Sequence, residues 1–185
     1  HGMGNSIILD PYDVYRMTTG MGKSMQELLA ASVELNVVDG VILPNLKMQG
    51  TEEACAYLDE EGRCSIHPYR PGICRLFPLG RYYENGGFSY FLQTGECAKE
   101  NRSKIKVSKW IDTPDLTRNQ QFTLQWHDLL HAMEERLTGE DEGKQREENL
   151  LLLRLFYLLP YEGTIDFYTQ FTERMEHWNG QNGQI

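Results

Sequence analysis

The sequence CAYLDEEGRCSIHPYRPGICRLFPLGRYYENGGFSYFLQTGEC (residues 55–97) decides how this chain is organised. It contains all four cysteines of the protein: Cys55, Cys64, Cys74 and Cys97. Turn-forming pairs lie between these thiols: Glu61-Gly62, Pro71-Gly72 and Gly95-Glu96. The backbone is therefore expected to reverse between cysteines, which lets thiols that are distant in sequence meet. Zinc ions and iron–sulfur clusters both accept four thiolates. The stretch predicts a small knot of chain stapled by a metal.

Length and composition limit the classes of protein to which this chain can belong. With 185 residues the chain is long enough for one globular domain with its own core. The formal net charge of −9 argues against general nucleic-acid binding, which requires a basic face. The most apolar run, residues 150–159, is too short to span a bilayer and contains Arg154. No signal peptide is recognisable, so we expect a cytoplasmic protein whose cysteines stay reduced and metal-bound.

The segment before the cysteines predicts two short helices. Asp10, Pro11 and Asp13 have the spacing of a capped helix start, and this helix is expected to end at Gly20. The S-x-x-E sequence at Ser24–Glu27 is a second capping box, which predicts a helix to about residue 35. We expect both helices to pack against the cysteine segment.

Short strands are predicted on either side of the first cysteines. Residues 41–48 indicate a strand, which Pro44 makes an edge strand or a bent one. Residues 54–66 indicate a hairpin with a tight turn, and residues 88–93 indicate a strand rich in aromatic side chains. One helical turn is expected around Cys74.

The second half of the chain predicts helices. Apolar residues recur at helical spacing over residues 116–137, and further helices are expected over residues 144–159 and 164–178. The predicted fold class is therefore α+β, mainly helical, with a small β-hairpin and irregular cysteine knot packed against helices. We divide the chain into a cysteine-cluster metal-binding region, residues 1–110, and a helical region, residues 111–185, within one compact domain.

A specific motif lies within the cysteine segment. It reads G-x-C-x-I-H-x-x-R-P-x-x-C-R-x-F-P-L over residues 62–79 and continues with G-x-C at residues 95–97. With this motif, and with L-D-P-Y-D-V-Y-R at residues 9–16, the chain from residue 7 to about residue 98 resembles the YkgJ family. Members of that family are described as zinc- or iron-chelating cysteine-cluster domains. The resemblance implies chelation of a metal and does not imply a reaction.

The sequence departs from the family pattern at one point. The family usually has further cysteines, in a C-x-x-C-x-x-C-C-like run, just before its first helix, and this sequence has none there. Either the four cysteines form a complete site, or they form part of a larger one. A related cysteine pattern occurs in flagellin lysine methylases. That likeness implies an alternative function, an iron–sulfur-dependent enzyme with a protein lysine methylase-like activity.

The chemistry of the four thiols leaves the identity of the cofactor open. Tetrahedral thiolate coordination suits a zinc ion in a closed structural site, and it also suits iron or a [4Fe–4S] cluster. We prefer zinc because no feature of the sequence requires redox chemistry. Without a metal, the alternatives are buried free thiols or two disulfides in one of three pairings.

Three neighbours of the cysteines are candidates for a role at the site. His67 follows Cys64 by three residues, and its imidazole could replace one thiolate as a zinc ligand. Arg70 and Arg75 flank Cys74 and are expected to offset the negative charge of the thiolates. An alternative role for these two arginines is to bind an anionic partner or a substrate carboxylate.

Two further features have less specific interpretations. His127 and His131 lie one helical turn apart, as in a zinc-binding histidine pair, although such pairs are common on surface helices. The acidic helical half contains no phosphate-binding loop and no nucleophile elbow. It is a candidate surface for a protein partner, which makes an interaction module the third functional alternative.

Overall fold

The computed structural model of the protein describes residues 7–51, 53–95 and 104–182. Within these ranges the chain forms seven α-helices and three antiparallel sheets of two strands each. The predicted α+β class with mainly helical content is confirmed. No helix in the described part of the chain is both long enough and apolar enough to cross a bilayer.

The first two helices begin where the capping boxes predict. Helix α1 (Pro11–Met21) is capped reciprocally by the side chains of Asp10 and Asp13. The prediction that α1 ends at Gly20 was wrong, because the left-handed residue that caps the helix is Gly22, with φ of 63°. Gly20 has a different reason to be a glycine, since a Cβ at this position would overlap the ring of Tyr69.

Helix α2 (Met25–Ala31) is shorter than predicted. Ser24 and Glu27 form its capping box, as expected. The helix does not reach residue 35, because strand β1 (Val33–Val38) begins two residues after its last turn and pairs with strand β2 (Val41–Leu46). Burial alternates along β1, which is the pattern of a strand with one face on the core.

The predicted strand around Pro44 is confirmed as β2, and the contacts explain why proline is tolerated there. The Pro44 carbonyl accepts a hydrogen bond from the Leu9 N–H at 2.8 Å, on the side of β2 that faces away from β1. The missing N–H of Pro44 therefore lies on the same outer side. Proline at this position therefore removes no hydrogen bond between β1 and β2.

The predicted hairpin at residues 54–66 forms only in part. Strand β4 (Ala54–Cys55) pairs with β3 (Met48–Gln49) instead of with the residues after the turn. The turn itself is present, since Asp59 and Arg63 are joined by a backbone hydrogen bond of 2.9 Å. Beyond it a single bridge joins Leu58 to Cys64.

A short helix and a hairpin follow. A 3-10 turn (His67–Tyr69) leads into helix α3 (Gly72–Leu76), which confirms the predicted helical turn around Cys74. Strands β5 (Leu79–Glu84) and β6 (Gly87–Leu92) then form an antiparallel hairpin. The sequence patterns predicted only β6. The missed signal is the Asn85-Gly86 pair at the turn, where both residues have positive φ, 50° and 70°.

The second half is helical. Helix α4 (Val107–Ile111) precedes α5 (Leu116–Leu137), whose bounds match the prediction. Helix α6 (Glu142–Leu153) ends earlier than predicted and continues as a π-helical turn (Arg154–Leu158) before Pro160. Helix α7 (Phe167–Asn182) begins and ends later than predicted.

A hydrophobic core draws on both halves of the chain. Helix α1 contributes Val14 and Met17, both fully buried, and the helical half contributes Met133 and Phe156, which are also fully buried. The Tyr157 hydroxyl in the π-helical turn donates to the Leu9 carbonyl at 3.0 Å, directly before α1. The division of the chain at residue 110 stays a prediction.

Candidate metal centre

The structure describes three of the four cysteines, and each lies on a different element. Cys55 ends strand β4, Cys64 forms the bridge with Leu58, and Cys74 is the third residue of α3. All three are half-buried free thiols, so within the described part of the chain no disulfide joins any two of them. Cys97 lies outside the described residues.

The three thiols are close enough to influence one another electrostatically. Burial, followed in order of size by the neighbouring Asp13, Cys55 and Cys64, raises the pKa of Cys74 to about 12. Burial also raises the pKa of Cys64, and the nearby Cys55 raises it further. Three thiols from three separate elements therefore share one neighbourhood, although 19 positions separate the first from the last in sequence.

The described residues alone do not complete a metal site. Over residues 7–51, 53–95 and 104–182, no three or more His, Cys, Asp or Glu side chains form a group that could hold an ion. Thiols are suitable donors for a thiophilic metal, but Cys55, Cys64 and Cys74 do not form such a group by themselves, and the fourth predicted ligand, Cys97, lies outside the described residues. The four-cysteine set stays a prediction, and so does the replacement of one thiolate by His67, an exposed residue of the 3-10 turn.

The two arginines beside Cys74 have different surroundings. Arg70 counteracts the rise in the pKa of both Cys64 and Cys74, so its guanidinium acts on the thiols. The side chain of Arg75 is only 5% exposed, and its Nη1 donates to the Arg70 carbonyl at 3.0 Å. Arg75 also stands 5.8 Å from the ring centroid of Tyr12, on α1. Their predicted role of offsetting thiolate charge is thus supported more directly for Arg70 than for Arg75.

A buried carboxylate joins α1 to α3. Asp13 is only 2% exposed, and its Oδ1 accepts a hydrogen bond of 2.6 Å from the N–H of Gly72, the first residue of α3. Its Oδ2 accepts from the Asp10 N–H at 3.3 Å. Burial and the adjacent Asp10 carboxyl raise the pKa of Asp13 to about 7, while Arg75 counteracts the rise.

The sequence patterns identified Asp13 as a helix cap and missed its contact with α3. The contact spans 59 positions, so no local pattern could reveal it. One signal was present: an aspartate stands where a capping box ordinarily has glutamate or glutamine.

The histidine pair of α5 contacts the β5–β6 hairpin. The His127 ring stacks on the Tyr83 ring with centroids 3.8 Å apart and planes 10° from parallel. His131 faces Glu135 at 3.6 Å instead, and the centroids of the two histidine rings are 6.4 Å apart. His127 therefore helps to dock the hairpin on α5.

The comparison with protein families identifies the cysteine-bearing region. Residues 7–91 match the family model described as "CxxCxxCC: Putative zinc- or iron-chelating domain". The match extends from the residues before α1 into β6, and it includes Cys55, Cys64 and Cys74. It confirms the resemblance that the motif over residues 62–79 indicated. No curated protein and no solved structure matches the chain.

Proposed function

Because residues 7–91 match the model of the CxxCxxCC family, described as zinc- or iron-chelating, we propose that this protein binds one metal through Cys55, Cys64, Cys74 and Cys97. The observation that carries the proposal is the family match, which includes Cys55, Cys64 and Cys74, three thiols that also influence one another's pKa. They are free thiols, so no disulfide competes for their sulfur atoms. Cys97 follows β6 by five positions and supplies the fourth thiolate.

We assign zinc in preference to iron. Four thiolates around Zn²⁺ form a closed tetrahedral site, which suits a structural role. Such a site has a formal charge of −2, and the Arg70 guanidinium is the nearby cation that already acts on two of the thiols. No feature of the cysteine segment calls for electron transfer.

The metal serves chiefly as a staple for the cysteine segment. Strand β4 has only two residues, and a single bridge joins Leu58 to Cys64. Helix α3 has only five residues. Such short elements have few backbone hydrogen bonds of their own, so cross-links between them add stability that their local structure lacks. Storage or transfer of the same metal is the alternative use of the site.

Elemental analysis combined with a visible spectrum tests the proposal. Protein prepared without oxygen and without added metal is expected to contain one zinc per chain and to be colourless. If the protein is brown and contains iron and acid-labile sulfide, the cofactor is an iron–sulfur cluster and not zinc, and the enzyme alternative is favoured. Protein that contains neither metal, and that takes up neither when it is supplied, would overturn the proposal.

Two accompanying features belong to this proposal. Free thiols and thiolate-bound metals persist in a reducing compartment, so we place the function in the cytoplasm. A protein partner through the helical region also stays a prediction. Its support is a set of exposed leucines on α6 and after it: Leu150, Leu158 and Leu159, with 54%, 37% and 49% exposed.

A further inference from the structure

We propose that Asp13 is a positioning residue for the metal site, because its carboxylate bonds to the first residue of α3, the short helix that carries Cys74. This inference rests on the proposed function. It adds a residue that lies outside the cysteine motif and more than 40 positions before the first cysteine. Asp13 would not bind the metal itself.

The first observation is the direct hydrogen bond between the two helices. Asp13 Oδ1 accepts from the Gly72 N–H at 2.6 Å, and Gly72 is the first residue of α3. Cys74 follows two residues later in the same short helix. Displacement of the first turn of α3 therefore displaces the thiol with it.

The second observation is the packing around this hydrogen bond. The space beside the Gly72 Cα is bounded by Asp13 Oδ1, Arg75 Nη2 and Asp10 Oδ2, which lie 3.5, 3.7 and 4.0 Å from the place a Cβ would take. Two carboxyl groups and one guanidinium thus meet at the start of α3. Asp13 and Arg75 are 2% and 5% exposed, so water does not replace these partners.

The second capping box of the chain provides an internal comparison. Glu27 occupies the same position in α2 that Asp13 occupies in α1, and it bonds only within its own box, to Ser24. Glu27 is exposed, and no hydrogen bond of its side chain in the described structure reaches another element. Glu27→Gln therefore neutralises a capping-box carboxylate without touching the cysteine segment.

Binding of cobalt(II) tests the inference, because cobalt in a thiolate site gives charge-transfer and d–d bands that report ligand geometry. Metal-free wild type, Asp13→Asn, Asp13→Ala and the matched control Glu27→Gln would be titrated at a temperature at which circular dichroism shows each to be folded. We expect Glu27→Gln to match wild type. We expect about tenfold weaker binding for Asp13→Asn, and a larger loss with shifted bands for Asp13→Ala.

A second readout needs no metal. In a background with Cys55, Cys64 and Cys97 replaced by serine, the rate at which a thiol reagent modifies the metal-free protein reports Cys74 alone. Asp13→Asn is expected to change that rate at least about threefold, because the thiol changes its surroundings, whereas Glu27→Gln leaves it unchanged.

The outcomes separate this inference from the proposed function. Wild type that binds no cobalt, zinc or iron refutes the proposed function, whatever the Asp13 variants do. Wild type that binds cobalt, together with folded Asp13→Asn that has the same affinity, spectrum and thiol reactivity, overturns the positioning role alone. If Asp13→Ala does not fold, Asp13→Asn carries the test.

Discussion

Among the described cysteines, Cys74 has the thiol whose pKa is raised most. Burial, Asp13 and the other two thiols together raise its pKa to about 12. At neutral pH the metal-free protein therefore carries a protonated thiol at Cys74. A metal binds the thiolate, so binding must release this proton.

The affinity for zinc should accordingly rise with pH. Each thiol proton that zinc displaces makes the affinity increase by up to about tenfold per pH unit below the pKa of that thiol. Competition with a chromophoric chelator between about pH 6 and 8 would measure the slope, after correction for protonation of the chelator. A pH-independent affinity would show that binding releases no proton and would contradict ligation by the Cys74 thiol, which is protonated in the metal-free protein.

Replacement of Cys74 by serine should remove metal and stability together. A hydroxyl is a poor zinc ligand, so Cys74→Ser leaves three thiolates and an incomplete sphere. The variant is expected to lose most of its metal, and its melting temperature should fall to that of chelated wild type. Chelated wild type is the control, since the two metal-free proteins should melt within a few degrees of each other, about the effect of 1 kcal/mol or less. Unchanged metal stoichiometry in Cys74→Ser would contradict the assignment.

At the scale of elements, α1 is the support on which the cysteine segment rests. The Asp13 carboxylate bonds to the start of α3, and the Arg16 guanidinium donates to the Pro68 carbonyl in the 3-10 turn. Near the end of the helix, Gly20 lies against the ring of Tyr69. Three contacts, spaced along one helix, thus hold the stretch that leads to Cys74.

The Gly20–Tyr69 contact predicts that Gly20→Ala is destabilising. An added Cβ overlaps the Tyr69 ring, so the 3-10 turn must move or the ring must leave its place. We expect a loss of about 1–3 kcal/mol in the free energy of unfolding, measured by chemical denaturation. Weaker metal binding should accompany it.

Gly180→Ala is the matched control for that variant. Gly180 also lies within a helix, α7, and nothing lies within 4 Å of the place its Cβ would take. Alanine there should be neutral or stabilising by up to about 1 kcal/mol, because glycine is a weak helix former. Equal effects of the two substitutions would show that the contact with Tyr69 is unimportant.

At the scale of the whole molecule, the hydrophobic core does not depend on the thiols. Its aromatic centre joins α1 to the helical half, with the Tyr12 and Phe167 rings 4.9 Å apart and the Phe122 and Phe171 rings 4.8 Å apart. Cys55, Cys64 and Cys74 lie half-buried at the edge of this core. A metal staple at the edge should therefore govern local order more than global folding.

Chelation should loosen one part of the molecule and spare the rest. After zinc is removed, amide hydrogen exchange should accelerate over residues 54–76, where the elements are short. Helices α5 and α7 should keep their protection, and the far-ultraviolet circular dichroism should change little. A uniform loss of protection across the chain would show instead that the metal is required for the whole fold.

The sequence by itself determined the structural features that depend on residues close to one another along the chain. The capping boxes at Asp10–Asp13 and Ser24–Glu27 predicted two helix starts, and apolar spacing predicted α5 over residues 116–137. Both signals act within one or two turns of chain, so they do not need the rest of the molecule. The cysteine motif likewise predicted the resemblance to the family whose model matches residues 7–91, because its spacing is local.

Only the tertiary structure decided the features that depend on contacts between residues far apart along the chain. Residues 33–38 leave the helical pattern because they pair with β2, and a strand exists only when its partner is in place. Asp13 looked like an ordinary cap, and its bond to Gly72 appears only when α1 and α3 are brought together. The fold places Cys55, Cys64 and Cys74 in one neighbourhood for the same reason, because contacts across many positions follow from packing of the core and not from spacing along the chain.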